Sequence, residues 1–251
     1  MKRFRHLLSI NWRKTVYFNF KMFSFRNALK FPFIFYGKVK FKSLKGKIIF
    51  ESPIEKGIAR FGKNLELISQ RSNVSELRID GTLKVNGNFI VGNDFAIHIT
   101  TNACMKISGG SYFGHRTRII CTKLIKLGQF FRFGFDSIIS DSNYHFIHNT
   151  EKNTVSEKNG TIVINDNCWV GGRSTILKGT VTPTNIIIAS NSLLNRDYTS
   201  DIKENSMIGG IPAKLIKTNV ARIMDTKLER KIEIYFANNP NMFECKLDEL
   251  I

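Results

Sequence analysis

The 251 residues carry 38 Lys and Arg against 20 Asp and Glu, a formal charge of +18, so an anionic partner is expected. No RNA- or DNA-binding motif accompanies that charge, which sets nucleic acid aside and leaves an anionic cofactor, an acidic glycan or a membrane surface. A chain of this length buries a core unaided, and Cys104, Cys121, Cys168 and Cys245 show no C-x-x-C pairing, so neither a zinc site nor a disulfide framework is indicated.

From Met1 to Lys47 there is no Asp or Glu, while Lys2, Arg3, Arg5, Arg13, Lys14, Lys21, Arg26, Lys30, Lys38, Lys40, Lys42, Lys45 and Lys47 interleave with aromatic residues. The apolar run after MKRFRHLL is broken by Asn11, Trp12, Arg13 and Lys14, too soon for a secretory signal. Phe31 to Tyr36 is far below a membrane span and contains Pro32, so the protein is expected in the cytoplasm. Residues 1–64 have two readings. Either the aromatics cap the open end of the fold that follows, or residues 1–47 touch the inner face of a membrane through aromatics and cations. Capping is favoured, because Trp12, Phe18, Phe20, Phe31, Phe33 and Phe35 are many large side chains to leave uncovered.

The first short strands are expected at Leu65–Ser69 and Glu76–Ile79, opening a repeat region over 65–217. Ile79, Val85, Val91 and Ile97 follow a six-residue stride, with Gly92-Asn93-Asp94 as a corner. Ile107, Phe113, Ile119 and Ile125 form a second run, with Ser111 and Thr117 at small positions, and Leu127 and Phe133 a third. The slips between runs fit corner bulges or outward loops, which a stacked solenoid tolerates. From Ile139 the stride is abandoned through ISDSNYHFIHN and a polar tract, an excursion over 141–160, and resumes at Thr161.

Ile164, Val170, Ile176, Ile188 and Leu194 then return every six residues, with Thr182 as one polar interruption. Cys168, Ser174, Thr180 and Ser192 sit four places after an aliphatic residue, where a small side chain suits a bend. A helix returns every three or four residues and a half-buried strand every two, so this period reads as an all-β solenoid, a parallel β-helix. Gly171 and Gly172 are expected to allow backbone conformations other residues resist. After Leu194 come a polar connector and the closing word SMIGGIPAKLIK, Ser206 to Lys217. Residues 218–251 read as a helix from Asn219, with Val220, Ile223, Leu228, Ile232 and Tyr235 at helical spacing, stopped at Asn238-Asn239-Pro240 and followed by a tail.

Two words, CWVGGRSTILKG and SMIGGIPAKLIK, resemble the hexapeptide-repeat acyltransferases, left-handed β-helix enzymes that move an acetyl group from acetyl-CoA. The resemblance covers the second half of the chain well and the first quarter poorly. It implies a left-handed coil, a homotrimer with sites between subunits, and acetyl-CoA as acyl donor. Asp141-Ser142-Asn143-Tyr144-His145 resembles the word that sugar O-acetyltransferases carry before such a loop. By that resemblance His145 is the catalytic base and Trp169 lines the site near the thioester. Asp141 would orient the imidazole, with Asn143 and Tyr144 on the substrate side. An imidazole suits this role because it is neutral near physiological pH. His148, in the same loop, lacks the family word around it.

For coenzyme A, Gly171, Gly172, Ala189 and Ser190 would offer backbone partners along a groove, and Lys214 and Lys217 would meet phosphates, with Arg196 as a weaker candidate. Ala189 replaces the family's usual Gly, and Thr182-Pro183-Thr184 an aliphatic-Gly pair. The acceptor implied is a saccharide or lipid-linked glycan of surface polysaccharide or lipopolysaccharide assembly. The alternatives are N-acetylation of an amino-sugar nucleotide and a catalytically silent β-helix that binds glycan or membrane. A zinc reading built on His115, His145 and His148 lacks the spacing of the β-helix carbonic anhydrases, and no metal is expected.

Overall fold

The computed structural model describes residues 9–64 and 74–249, so the strand expected at Leu65–Ser69 lies outside the described residues. The chain divides into two units, Met1–Val220 and Ala221–Ile251. Among the described residues of the first, strands form three large sheets of nine, seven and five members, parallel except for the last strand of the nine, Lys214–Thr218, which pairs antiparallel. From Phe33 to Ser140 consecutive strands belong to different sheets. Phe33–Phe35, Val39–Leu44 and Lys47–Phe50 start the three, and Ala59–Lys63 returns to pair with the first. The sheets are thus the three faces of a climbing coil, a left-handed parallel β-helix.

The stride residues fill its interior. Ile79, Val85, Val91, Ile97, Ile164, Val170, Ile176, Ile188 and Leu194 are all buried, as are the small residues Cys168, Ser174, Thr180 and Ser192. The polar interruption is also inside: the Thr182 hydroxyl accepts from the Asn165 N–H at 3.2 Å and lies 3.4 Å from Cys168 Sγ. The slips in the stride come from the five-stranded face. Four of its five strands bury two alternate residues inward, Leu83 and Val85, Met105 and Ile107, Ile125 and Leu127, Ile162 and Ile164, and these pairs stack in register. Period two inside a strand is thereby superposed on the repeat of the coil.

Strand pairing begins at Phe33, ahead of the expected boundary at 65. The early coils hid their repeat because phenylalanines replace aliphatics. Phe33, Phe61, Phe89 and Phe113 run up the interior with ring centroids 5.6, 5.5 and 6.5 Å apart at successive steps. Such contacts add about 0.5–1.5 kcal/mol per pair beyond area burial.

Helix α1 (Trp12–Met22), followed by the short α2 (Phe25–Ala28), lies against the first strand. The buried Asn19 side chain brackets Phe33, donating to its carbonyl at 2.7 Å and accepting from its N–H at 3.1 Å. Thr15 Oγ1 accepts from Phe35 N–H at 3.1 Å, and Phe18 packs on Phe33 and Phe35. The side chains split: Phe18, Phe33 and Phe35 are buried, whereas Trp12 and Phe20 are exposed. Capping by all six aromatics, the favoured expectation, therefore holds for only part of the set.

The second unit holds helix α3 (Thr226–Asn238), which starts later than the expected Asn219. Asp225 sets the start, its carboxylate accepting from Lys227 N–H at 2.7 Å and from Leu228 N–H at 3.4 Å as an N-cap.

Candidate active site

Each coil has three corners. At the first, between the nine- and seven-stranded faces, one residue per coil takes a left-handed conformation: Asp94, Arg116, Asp136, Arg173 and Asn191, with φ of 54 to 59°. Gly171 and Gly172 do not; they precede that residue, and proximity explains them. A Cβ on Gly171 would stand 2.5 Å from Ser190 N, and one on Gly134 2.4 Å from Gly172 N. These glycines let neighbouring coils stack, so the expectation of unusual backbone conformations gives way to one of close approach. Ala189 continues the column. It donates through its N–H to Ile208 O at 2.9 Å, and a Cβ on Gly209 would meet its own Cβ at 2.7 Å.

The last row is the closing word. Ser206–Gly209 pairs antiparallel with Lys214–Thr218, placing Lys214 opposite Gly209 and Lys217 opposite Met207. Both lysines are exposed. Gly171, Gly172, Ala189, Ser190 and Lys214 therefore share one column; its two glycines are buried, Gly171 and Ala189 give their N–H groups to Ile188 O and Ile208 O of the next coil, and Ser190 and Lys214 are exposed. Arg173 belongs to this corner too, stacked over Phe135 at 5.8 Å, and was not foreseen. Arg196 is committed elsewhere, in a bidentate pair with Asp201 at 2.7 and 2.8 Å.

The excursion leaves from the second corner, between Ile138–Ser140 on the seven-stranded face and Thr161–Ile164 on the five-stranded one. Its stem is tied. Asn143 N–H donates to Lys158 O at 2.9 Å, Ser142 Oγ to Asn159 Oδ1 at 2.8 Å, and Gly160 N–H to Asp141 O at 2.7 Å. Tyr144, at φ 62°, turns the chain, and its N–H donates to Ser142 Oγ at 3.0 Å. A hairpin of Ile147–Asn149 with Thr154–Ser156 follows, in which His148 Nε2 lies 3.0 Å from Asn153 Oδ1. His145 sits between stem and hairpin. Its side chain is exposed, among equally exposed Tyr144, Phe146 and Ile147.

Asp141 does not serve His145. The residue is fully buried, and its carboxylate accepts from Thr122 N–H and Thr122 Oγ1, both at 2.7 Å, from Lys123 N–H at 2.8 Å and from Leu124 N–H at 2.9 Å. Both oxygens are used in bracing the turn of the coil below. The role expected for Asp141, orienting the imidazole, is corrected to that of a structural clamp. Burial, and after it the Asp141 charge, pushes the neighbouring Cys121 thiol far up from its ordinary value.

Trp169 lies on the nine-stranded face between Arg132 and Ile187, 43% exposed. One chain thus carries His145 at the second corner, Trp169 on the opposite face and the small-residue column at the first corner. Trp169 runs directly into the column at Gly171, whereas His145 stands apart from both within a protomer.

Beside the stem lies a cleft of about 500 Å³ that the sequence reading missed, lined in part by Arg78, His98, Thr122, Tyr144, Lys158 and Asn159. Burial lowers the His98 pKa more than Glu76, 3.5 Å away, raises it. These residues come from successive coils and face outward, where no period marks them. Among the described residues no group of three or more His, Cys, Asp or Glu converges as metal ligands would.

No family model matches the chain. It is 26% identical over 210 residues to an uncharacterised 24.8 kDa protein of the cps region in Klebsiella pneumoniae, covering 80% of this chain and 86% of that one. It is 24% identical over 149 residues to WbbJ of Escherichia coli K12, provisionally named a lipopolysaccharide biosynthesis O-acetyl transferase, covering 56% and 74%. The crystal structure of the polySia-specific acetyltransferase NeuO matches with a TM-score of 0.59 at 18% identity, over 86% of this chain and 89% of that chain. In its repeat, its closing word and its coil, the chain resembles the hexapeptide-repeat acyltransferases.

Proposed function

We propose that the protein is an acyltransferase that moves an acetyl group from acetyl-CoA to a saccharide hydroxyl, with His145 as general base. The observation that carries this reading is the excursion: a regular coil is interrupted between Ile138–Ser140 and Thr161–Ile164, and the insert is braced so that it holds an imidazole outward. A segment that departs from a repeat yet is tied at its stem serves function better than chance. The relative named for lipopolysaccharide O-acetyl transfer and the relative from a cps region support a surface-glycan acceptor, and with it work in the cytoplasm.

His145 takes the proton of the acceptor hydroxyl as its oxygen attacks the thioester carbonyl. The tetrahedral oxyanion collapses, the C–S bond breaks, and the proton passes from the imidazole to the departing thiolate, giving an acetyl ester and free coenzyme A. Backbone N–H groups at the first corner are suited to the oxyanion. The small column from Gly171 to Ser190 receives the pantetheine arm, and Lys214, Lys217 and Arg173 its phosphates. Because His145 and Trp169 stand on different faces of one chain, the working unit is a homotrimer in which the loop of one copy meets the indole face of the next. Asn143 and Tyr144, with the cleft of Arg78 and Asn159 beside them, contact the acceptor.

The test is turnover with acetyl-CoA and a panel of bacterial surface glycans, read by thiol release and by mass of the glycan. His145→Ala is expected to lower kcat by 10²–10⁴-fold with its melting temperature unchanged, as loss of a general base does. Wild-type glycan binding without thiol release from any donor defeats the proposal and leaves a silent scaffold.

A further inference from the structure

We infer that helix α1 and the strand beside it form a docking face for an anionic lipid bilayer. The inference is independent of the acyltransferase reading. Trp12, Val16 and Phe20 return every four residues along α1, and Phe20 touches Phe25 with ring centroids 5.8 Å apart, so one apolar stripe runs across both helices. All four are exposed, Phe25 at 70%. The adjoining side of α1 is taken: Thr15, Phe18 and Asn19 are buried against the first coil, and the stripe lies beside that contact, left exposed by it.

Cations flank it. Two clefts open on either side of Tyr17, one of about 520 Å³ lined by Asn11, Arg13, Lys14 and Tyr17. The other, about 610 Å³, is lined by Tyr17, Lys21, Phe41, Lys42 and Lys45 among others. Lys42 also pairs with Glu76 at 3.1 Å, which leaves Lys21 and Lys45 as the principal charges of the second cleft. No acidic residue occurs before Glu51. Cations at the depth of an aromatic stripe match a surface whose phosphates lie just outside its hydrocarbon, and a soluble polyanion would leave the stripe in water. Among the described residues no helix is long and apolar enough to cross a membrane, so the contact lies in the interface plane.

The experiment is co-sedimentation of the full chain with vesicles of phosphatidylcholine alone and of equal parts phosphatidylcholine and phosphatidylglycerol, with soluble dextran sulfate as competitor. Binding to the anionic vesicles alone is expected. Lys21→Gln and Lys45→Gln should each weaken it about fivefold, and Val16→Ser with Phe20→Ser about tenfold or more. All four positions are exposed, so the fold should persist, and circular dichroism checks it. Absence of binding to anionic vesicles overturns the inference. So does binding that survives Val16→Ser and Phe20→Ser and is displaced by dextran sulfate, which would make the face a polyanion site.

Discussion

Replacing Asp141 by alanine should destabilise the protein rather than merely silence it. The carboxylate receives three backbone N–H groups and one hydroxyl, all within 2.9 Å, from residues 122–124 of the coil below. Hydrogen bonds to a charged acceptor contribute about 1.5–3 kcal/mol each, and donors left unpaired cost about 1–3 kcal/mol where water cannot replace the partner. Thr122 and Leu124 are half-buried and Lys123 is exposed, so water recovers part of the loss. The net cost is about 2–4 kcal/mol, a fall in melting temperature of roughly 4–16 °C for a chain of this size. Asp141→Asn keeps one acceptor oxygen but turns an amide N–H₂ toward the N–H groups of Lys123 and Leu124, and should cost about 1–3 kcal/mol. Urea unfolding followed by circular dichroism, run beside turnover, decides the matter. If Asp141→Ala unfolds within about 0.5 kcal/mol of the wild type while kcat collapses, the clamp assignment is wrong and the carboxylate acts on the imidazole after all.

Two further substitutions at the first corner separate backbone from side-chain crowding. Gly171→Ala places a Cβ 2.5 Å from Ser190 N and should cost about 1–3 kcal/mol, whereas Gly172→Ala meets the Phe135 ring at 2.9 Å, which can turn aside, and should cost less by thermal melting. Burial raises the thiol pKa of both Cys121 and Cys168. An acid whose folded pKa lies above its unfolded value gives stability that is whole below the unfolded value, about 8.5, and is lost as pH rises past it. Between pH 8.5 and 9.5 the wild type should therefore lose more stability than the variant with Cys121→Ala and Cys168→Ala, roughly 1 kcal/mol of it from Cys121 and a further loss in the same direction from Cys168, measured by urea unfolding. Equal slopes would refute the buried assignment.

The coil was legible because every turn of a solenoid must place one side chain inside, and a chain that does so with Ile, Val and Leu writes its period openly. Val170, Ile176 and Ile188 are examples. The first coils obey the same geometry with Phe33, Phe61 and Phe89, and the pattern vanished because interior volume is filled by fewer, larger rings. Outward residues obey no period. The cleft beside the excursion draws Arg78, His98 and Lys158 from different coils, and only the stacking of strands makes them neighbours. Asp141 misled for a related reason. A carboxylate four residues before a histidine looks like its partner in sequence, yet at the second corner the groups within reach are the N–H groups of the preceding coil.

That same separation of faces yields the sharpest test of how the site is built. If one chain held a complete site, a mixture of His145→Ala and Trp169→Ala copies would be inactive, since every chain lacks one group. If the loop of one copy serves the indole face of the next, random mixing in a trimer restores a site wherever a copy with intact His145 precedes one with intact Trp169. Each of the three interfaces has about one chance in four of being such a pair, so co-expressed variants should recover about a quarter of wild-type turnover. Neither variant alone should show it. Recovery near zero in a mixture shown by mass spectrometry to contain mixed trimers would require His145 and Trp169 to act within one chain, which the two faces of this coil oppose, or would remove one of them from the chemistry.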